Sequence, residues 1–129
     1  MAGKIVGIPW HEFLEQQFER NPEQRAEWER TALARAVAIA VIKYRNEHKL
    51  SQRALAKKLG RTPGEIGRLE LGEHNPTLET LGWLSEALGK QFIVTVRPPE
   101  KKALPLSKRA TILEDLVLSG GGQVVIATA

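Results

Sequence analysis

The 129-residue sequence predicts a mainly α protein: a bundle of short helices with an N-terminal helical arm and a tail read as strand, helix and strand. Three observations lead there. Apolar residues recur at three- and four-residue spacing up to Leu88. Ser or Thr stands ahead of successive runs, and Gly stands after them. Period-two alternation begins only at Gln91.

Each element follows in order. Between Pro9 and Pro22, Trp10, Phe13, Leu14 and Phe18 share a helical face. Asn21-Pro22 then reads as an N-cap with proline in the first turn, opening one long helix to about His48. Its apolar line is Leu33, Ala36, Val37, Ala40, Val41 and Tyr44, widened by Ile39 and Ile42. Ser51 caps Gln52 to Leu59, and Gly60 closes that helix by tolerating positive φ. Thr62-Pro63 opens the next helix, with Glu65 at capping-box spacing, ending near Leu71-Gly72. Thr77 caps a helix through Leu88 that stops at Gly89. Gln91 to Arg97 alternates as a strand that Pro98-Pro99 ends. Ser107 is read as the cap of a short helix carrying Ile112, Leu113, Leu116 and Val117. Gly120 to Gly122 turns the chain into a last strand, Gln123 to Thr128. The expected divisions are an arm at 1–30, a domain at 31–97 and a tail at 98–129.

Composition narrows the function classes. The chain is 42% hydrophobic and 26% charged, with a net charge of +4 that suits an anionic partner. Cysteine is absent, which removes disulfides and thiolate chemistry. No apolar run reaches the roughly 18 residues of a membrane span, and Met1 to Pro9 lacks a secretory layout, so a cytoplasmic protein is expected. An enzyme is not expected. Asp115 is the single aspartate, and His11, His48 and His74 lack metal-ligand spacing. Ser51, Ser85, Ser107 and Ser119 lack a nucleophile context. Neither a metal nor a cofactor is implied.

The informative segment runs from Leu50 to Glu70. Two short helices that cross steeply need a small residue at the crossing, which Ala56 supplies, and a turn free to take positive φ, which Gly60 supplies. Leu55, Leu59, Ile66 and Leu69 provide the apolar plug. The second helix keeps an outward face that can enter a major groove.

The run LSQRALAKKLG…IGRLELGEHNPTLETLGWLSEALG resembles the lambda-repressor/Cro-like (XRE) helix-turn-helix family. That resemblance implies five helices and a sequence-specific regulator of transcription that binds a double-stranded DNA operator. The helix before the domain and the strand after it also resemble HigA-type antitoxins, which repress their own operon and neutralise a RelE/ParE-like toxin. A free-standing repressor and a pure interaction module are the alternatives. By the family pattern, Gln52 caps the first motif helix and can bond a phosphate. Pro63, Gly64 and Arg68 fall where bases are read, and only Arg68 has a side-chain donor. Thr62 and Glu65 border that row. Arg53, Lys57, Lys58, Arg61, His74 and Asn75 are candidate backbone contacts. Arg45 and Glu70 stand in register for an ion pair that fixes the reading helix. A homodimer is expected through Gln91–Arg97 and Leu78–Leu88, with Leu84, Phe92 and Val94 as contacts. The aromatic arm of Trp10, Phe13, Phe18 and Trp28 either docks a partner or packs on its own protein.

Overall fold

The computed structural model describes residues 10–129. The reading of Met1–Pro9 and the side chains of Trp10 and His11 lie outside the described part. The chain divides into two compact units, one ending at Arg30 and one from Thr31 to Ala129.

The first unit holds α1 (Trp10–Arg20) and α2 (Pro22–Arg30). The Phe18 and Trp28 rings pack on each other with centroids 6.2 Å apart. Arg25 bonds Glu15 at 2.9 Å and joins α2 to α1.

The second unit begins with α3 (Ala32–Glu47), so the single long helix expected from Pro22 to His48 is two helices. Thr31, at φ −101° and ψ 16°, is the break. The apolar stripe explains its position. Seven residues of α3 are buried whereas α2 buries none, so core packing holds only the part after Thr31. α3 also lacks a side-chain cap from Thr31, and Asn75, distant in sequence, bonds the Ala34 N–H at 3.0 Å instead.

Then come α4 (Gln52–Leu59), α5 (Pro63–Leu71) and α6 (Leu78–Leu88). The segment 31–97 therefore holds four helices, one fewer than the family resemblance implies. Val37, Val41, Leu55, Ala56, Ile66, Leu84 and Leu88 form its core. Leu55, Ile66 and Leu84 are completely enclosed, where each side chain contributes about 1.5–3 kcal/mol of burial energy.

Three strands complete the unit: β1 (Phe92–Arg97), β2 (Thr111–Val117) and β3 (Gln123–Thr128). They form an antiparallel sheet in the order β1-β3-β2. The helix expected after Ser107 is thus the strand β2. Its apolar pairs Ile112-Leu113 and Leu116-Val117 suit a helix as well as a bulged strand, and the pairing with β3 decides between them. Gly121, at φ 93°, makes the tight turn, and Leu118 N–H donates to Gly122 C=O at 2.7 Å. A register shift between Ile112 and Glu114 lets Leu113 and Leu116 both reach the second core cluster with Ala32, Ala36 and Ile126. Arg35 on α3 pairs with Glu114 on β2 at 2.5 Å and ties the sheet to the helices.

Candidate nucleic-acid interface

The site is built by the turn between α4 and α5. The Ser51 hydroxyl accepts the Ala54 N–H at 3.0 Å and starts α4. Ser51 is thus the cap read from the sequence, and Gln52, given that role by the family pattern, instead donates its side-chain amide to Glu70 at 3.0 Å. The shorter Ser51 side chain sits at the non-helical position from which an oxygen can turn back onto the first turn, and Gln52 is already inside the helix. Gly60 ends α4 at φ 68°, and Arg61 N–H closes on Ala56 C=O at 2.8 Å. A Cβ at Gly60 would meet no atom within 4 Å, so backbone conformation alone favours glycine there. Thr62 and Glu65 form a reciprocal capping box ahead of Pro63, which fixes where α5 begins.

One carboxylate ties α5 to two other helices. Glu70 accepts from Arg45 Nε at 2.8 Å and Nη2 at 3.0 Å, and from Gln52 Nε2 at 3.0 Å. Arg45 Nη1 also donates to Leu50 C=O at 3.2 Å. The Arg45–Glu70 pair therefore joins α3, the α3–α4 turn, α4 and α5. The Glu70 side chain is 7% exposed and that of Arg45 22%. Burial pushes the Glu70 carboxyl upward, but the bonds from Arg45 and Gln52 and the Arg45 charge outweigh it and hold it below the ordinary range. The bond to Glu70 correspondingly raises Arg45.

With Ile66 enclosed against the core, Gly64, Arg68 and Leu71 share the opposite, outward face of α5. Arg68 is exposed and makes no hydrogen bond or ion pair among the described residues. Gly64, Gly67 and Pro63 leave the backbone around it open. A Cβ on Gly67 would lie 3.8 Å from Gln52 Oε1, an ordinary contact, so packing within the protein does not require glycine there.

The flanking cations divide into groups. Arg53 and Lys57 on α4 are exposed and unpaired among the described residues. Lys58 donates to the Tyr44 hydroxyl at 3.1 Å. Arg61 lies over the Trp83 ring, 4.1 Å from its centroid, and stands 3.7 Å from Glu65. His74 is exposed in the α5–α6 loop, while Asn75 caps α3. Trp83 and Leu71 were missed by the sequence reading. Trp83 is the single tryptophan beyond the arm, a signal that its place within an apolar helix obscures.

Two short helices in contact, a glycine turn between them and an exposed face on the second define a helix-turn-helix domain, the DNA-binding unit of transcription regulators. Residues 41–93 match the Helix-turn-helix family model, in agreement with the lambda-repressor/Cro-like resemblance of the same stretch. No curated protein matches the chain. Among solved structures, the chain is similar to two of the clp gene regulator ClgR from Corynebacterium glutamicum, at 30% identity over 44% of this chain. The matches cover 73% and 61% of those chains, with TM-scores of 0.39 and 0.38.

Proposed function

We propose that this chain is a sequence-specific, DNA-binding regulator of transcription that inserts α5 into the major groove of an operator. The observation that carries it is Arg68, exposed and unpaired on the outward face of a helix whose position Glu70 fixes. A guanidinium so placed can bond guanine O6 and N7 together. Gln52, Arg53, Lys57, Arg61, Thr62 and His74 surround it as backbone contacts, and no catalytic role is assigned to any of them. Selection from a random duplex pool tests the reading. Enriched sites should carry a guanine in each half-site, with half-sites about one helical turn apart; a pool that does not enrich would remove it.

Homodimerisation belongs to this reading, because a single direct reader needs doubling to reach useful specificity. β1 supports it: its outer edge pairs with no strand among the described residues, and Val94 and Val96 are 49% and 69% exposed. Leu84, expected at that interface, is instead completely enclosed and cannot reach a partner.

The finer role we propose is that of an antitoxin which represses its own operon and neutralises a RelE/ParE-like toxin. The support is the layout, with a helical arm before the domain and a strand directly after it. Co-purification with the product of the adjacent reading frame, and relief of that product's toxicity, tests it. Specific operator binding without either result would leave a free-standing repressor.

A further inference from the structure

Beside the outward face of α5 lies an open groove of about 450 Å³, lined by Arg61, Arg68, His74, Pro76, Thr80 and Trp83 among others. Resting on the DNA-binding reading above, we propose that this groove receives a phosphate of the duplex backbone and that Trp83 is the positioning residue that presents Arg61 to it. The geometry points this way for three reasons. The Arg61 guanidinium lies 4.1 Å from the centre of the Trp83 ring, so the indole restrains the cation by contact with its face. Stacking consumes none of the five N–H donors, which remain available for a phosphate. Two carboxylates line the groove, Glu65 and Glu79, and neither hydrogen-bonds the guanidinium: Glu65 forms an ion pair with Arg61 at 3.7 Å, beyond hydrogen-bond range, with its other oxygen turned to Thr62 in the capping box. Arg68 on the same groove wall joins the phosphate position to the base-reading position, so a strand bordering the major groove passes Arg61 while Arg68 reaches inward.

A backbone contact is independent of sequence, so any mixed-sequence duplex is a suitable probe. The logarithm of affinity is measured against the logarithm of salt concentration for the wild type, Arg61→Ala, Trp83→Leu, Trp83→Phe and the double variant Arg61→Ala/Trp83→Leu, each confirmed folded by circular dichroism. Arg61→Ala should reduce the slope by about 0.9, the loss of one phosphate contact. Trp83→Leu should reduce it similarly, Trp83→Phe should retain it, and the double variant should match Arg61→Ala alone. A tryptophan that only supports the fold would lower affinity without this slope change and without the non-additivity. Where Trp83→Leu does not fold, Trp83→Met supplies the same reading. A wild-type slope in Trp83→Leu, or a loss additive with Arg61→Ala, overturns the proposal. Exchanging chloride for inorganic phosphate at equal ionic strength should weaken the wild type more than Arg61→Ala, since free phosphate competes for the same donors; an equal loss in both also overturns the proposal. A wild type that binds no duplex at any salt concentration removes the DNA-binding reading itself.

Discussion

The Arg45 guanidinium holds the Glu70 carboxylate through two hydrogen bonds, at 2.8 and 3.0 Å, across 25 residues of sequence. Gln52 adds a third bond to the same carboxylate at 3.0 Å. A planar fork on a planar acceptor fixes orientation as well as distance, which a lysine could not do. The helix that carries Arg68 is thereby set against the body of the domain.

Glu70→Ala should lower unfolding stability by about 1.5–3 kcal/mol, the range for hydrogen bonds to a charged group. Glu70→Gln should lose part of this, because an amide keeps one acceptor. The pH dependence has a definite sign. Glu70 is held below its ordinary pKa when folded, so its contribution is complete above the ordinary carboxyl range and drains away as pH falls through and below it. Urea unfolding across that interval should show a shallower acid loss in Glu70→Gln than in the wild type. Losses below about 1 kcal/mol in both variants would reduce the pair to a surface contact.

Arg68→Ala should remove operator preference while sparing most of the salt-sensitive binding to random DNA. Loss of a bidentate base contact costs about 1–3 kcal/mol in discrimination. Side-by-side titration of operator and random duplex measures this ratio, and an unchanged ratio would show that Arg68 is not the reader.

Gly67→Ala should separate stability from binding. Alanine is favoured over glycine by about 0.8–1.0 kcal/mol inside a helix, and the new Cβ meets only an ordinary contact with Gln52. Thermal stability should therefore rise. Affinity for the operator should fall, because the added methyl, beside Gln52, adds bulk at the edge of the face proposed to meet DNA. A variant that gains stability and keeps full affinity would mean that the backbone does not approach DNA closely at this position.

Val94→Lys combined with Val96→Lys should convert a dimer to a monomer. Residues two apart on a strand share a face, so both charges enter the same interface. Light scattering at micromolar concentration reads the change. A wild type already monomeric at high micromolar concentration, with unchanged DNA binding, would exclude the dimer.

The sequence by itself determined what depends on neighbouring residues. Ser51, Thr62 and Thr77 mark helix starts because a cap bonds a backbone N–H only three residues on, and Gly60, Gly72 and Gly89 mark ends because each takes positive φ. The mainly α class and the helix-turn-helix follow from those local signals. Tertiary structure decided whatever rests on distant partners. The break at Thr31 reflects which half of a helical stretch finds a core, and the strand β2 exists because β3 supplies its hydrogen bonds. Leu84 turns inward because the core closes over it, and Trp83 meets Arg61 because folding brings α6 to the α4–α5 turn. Spacing along a chain records which face a residue occupies, but only packing determines what that face meets.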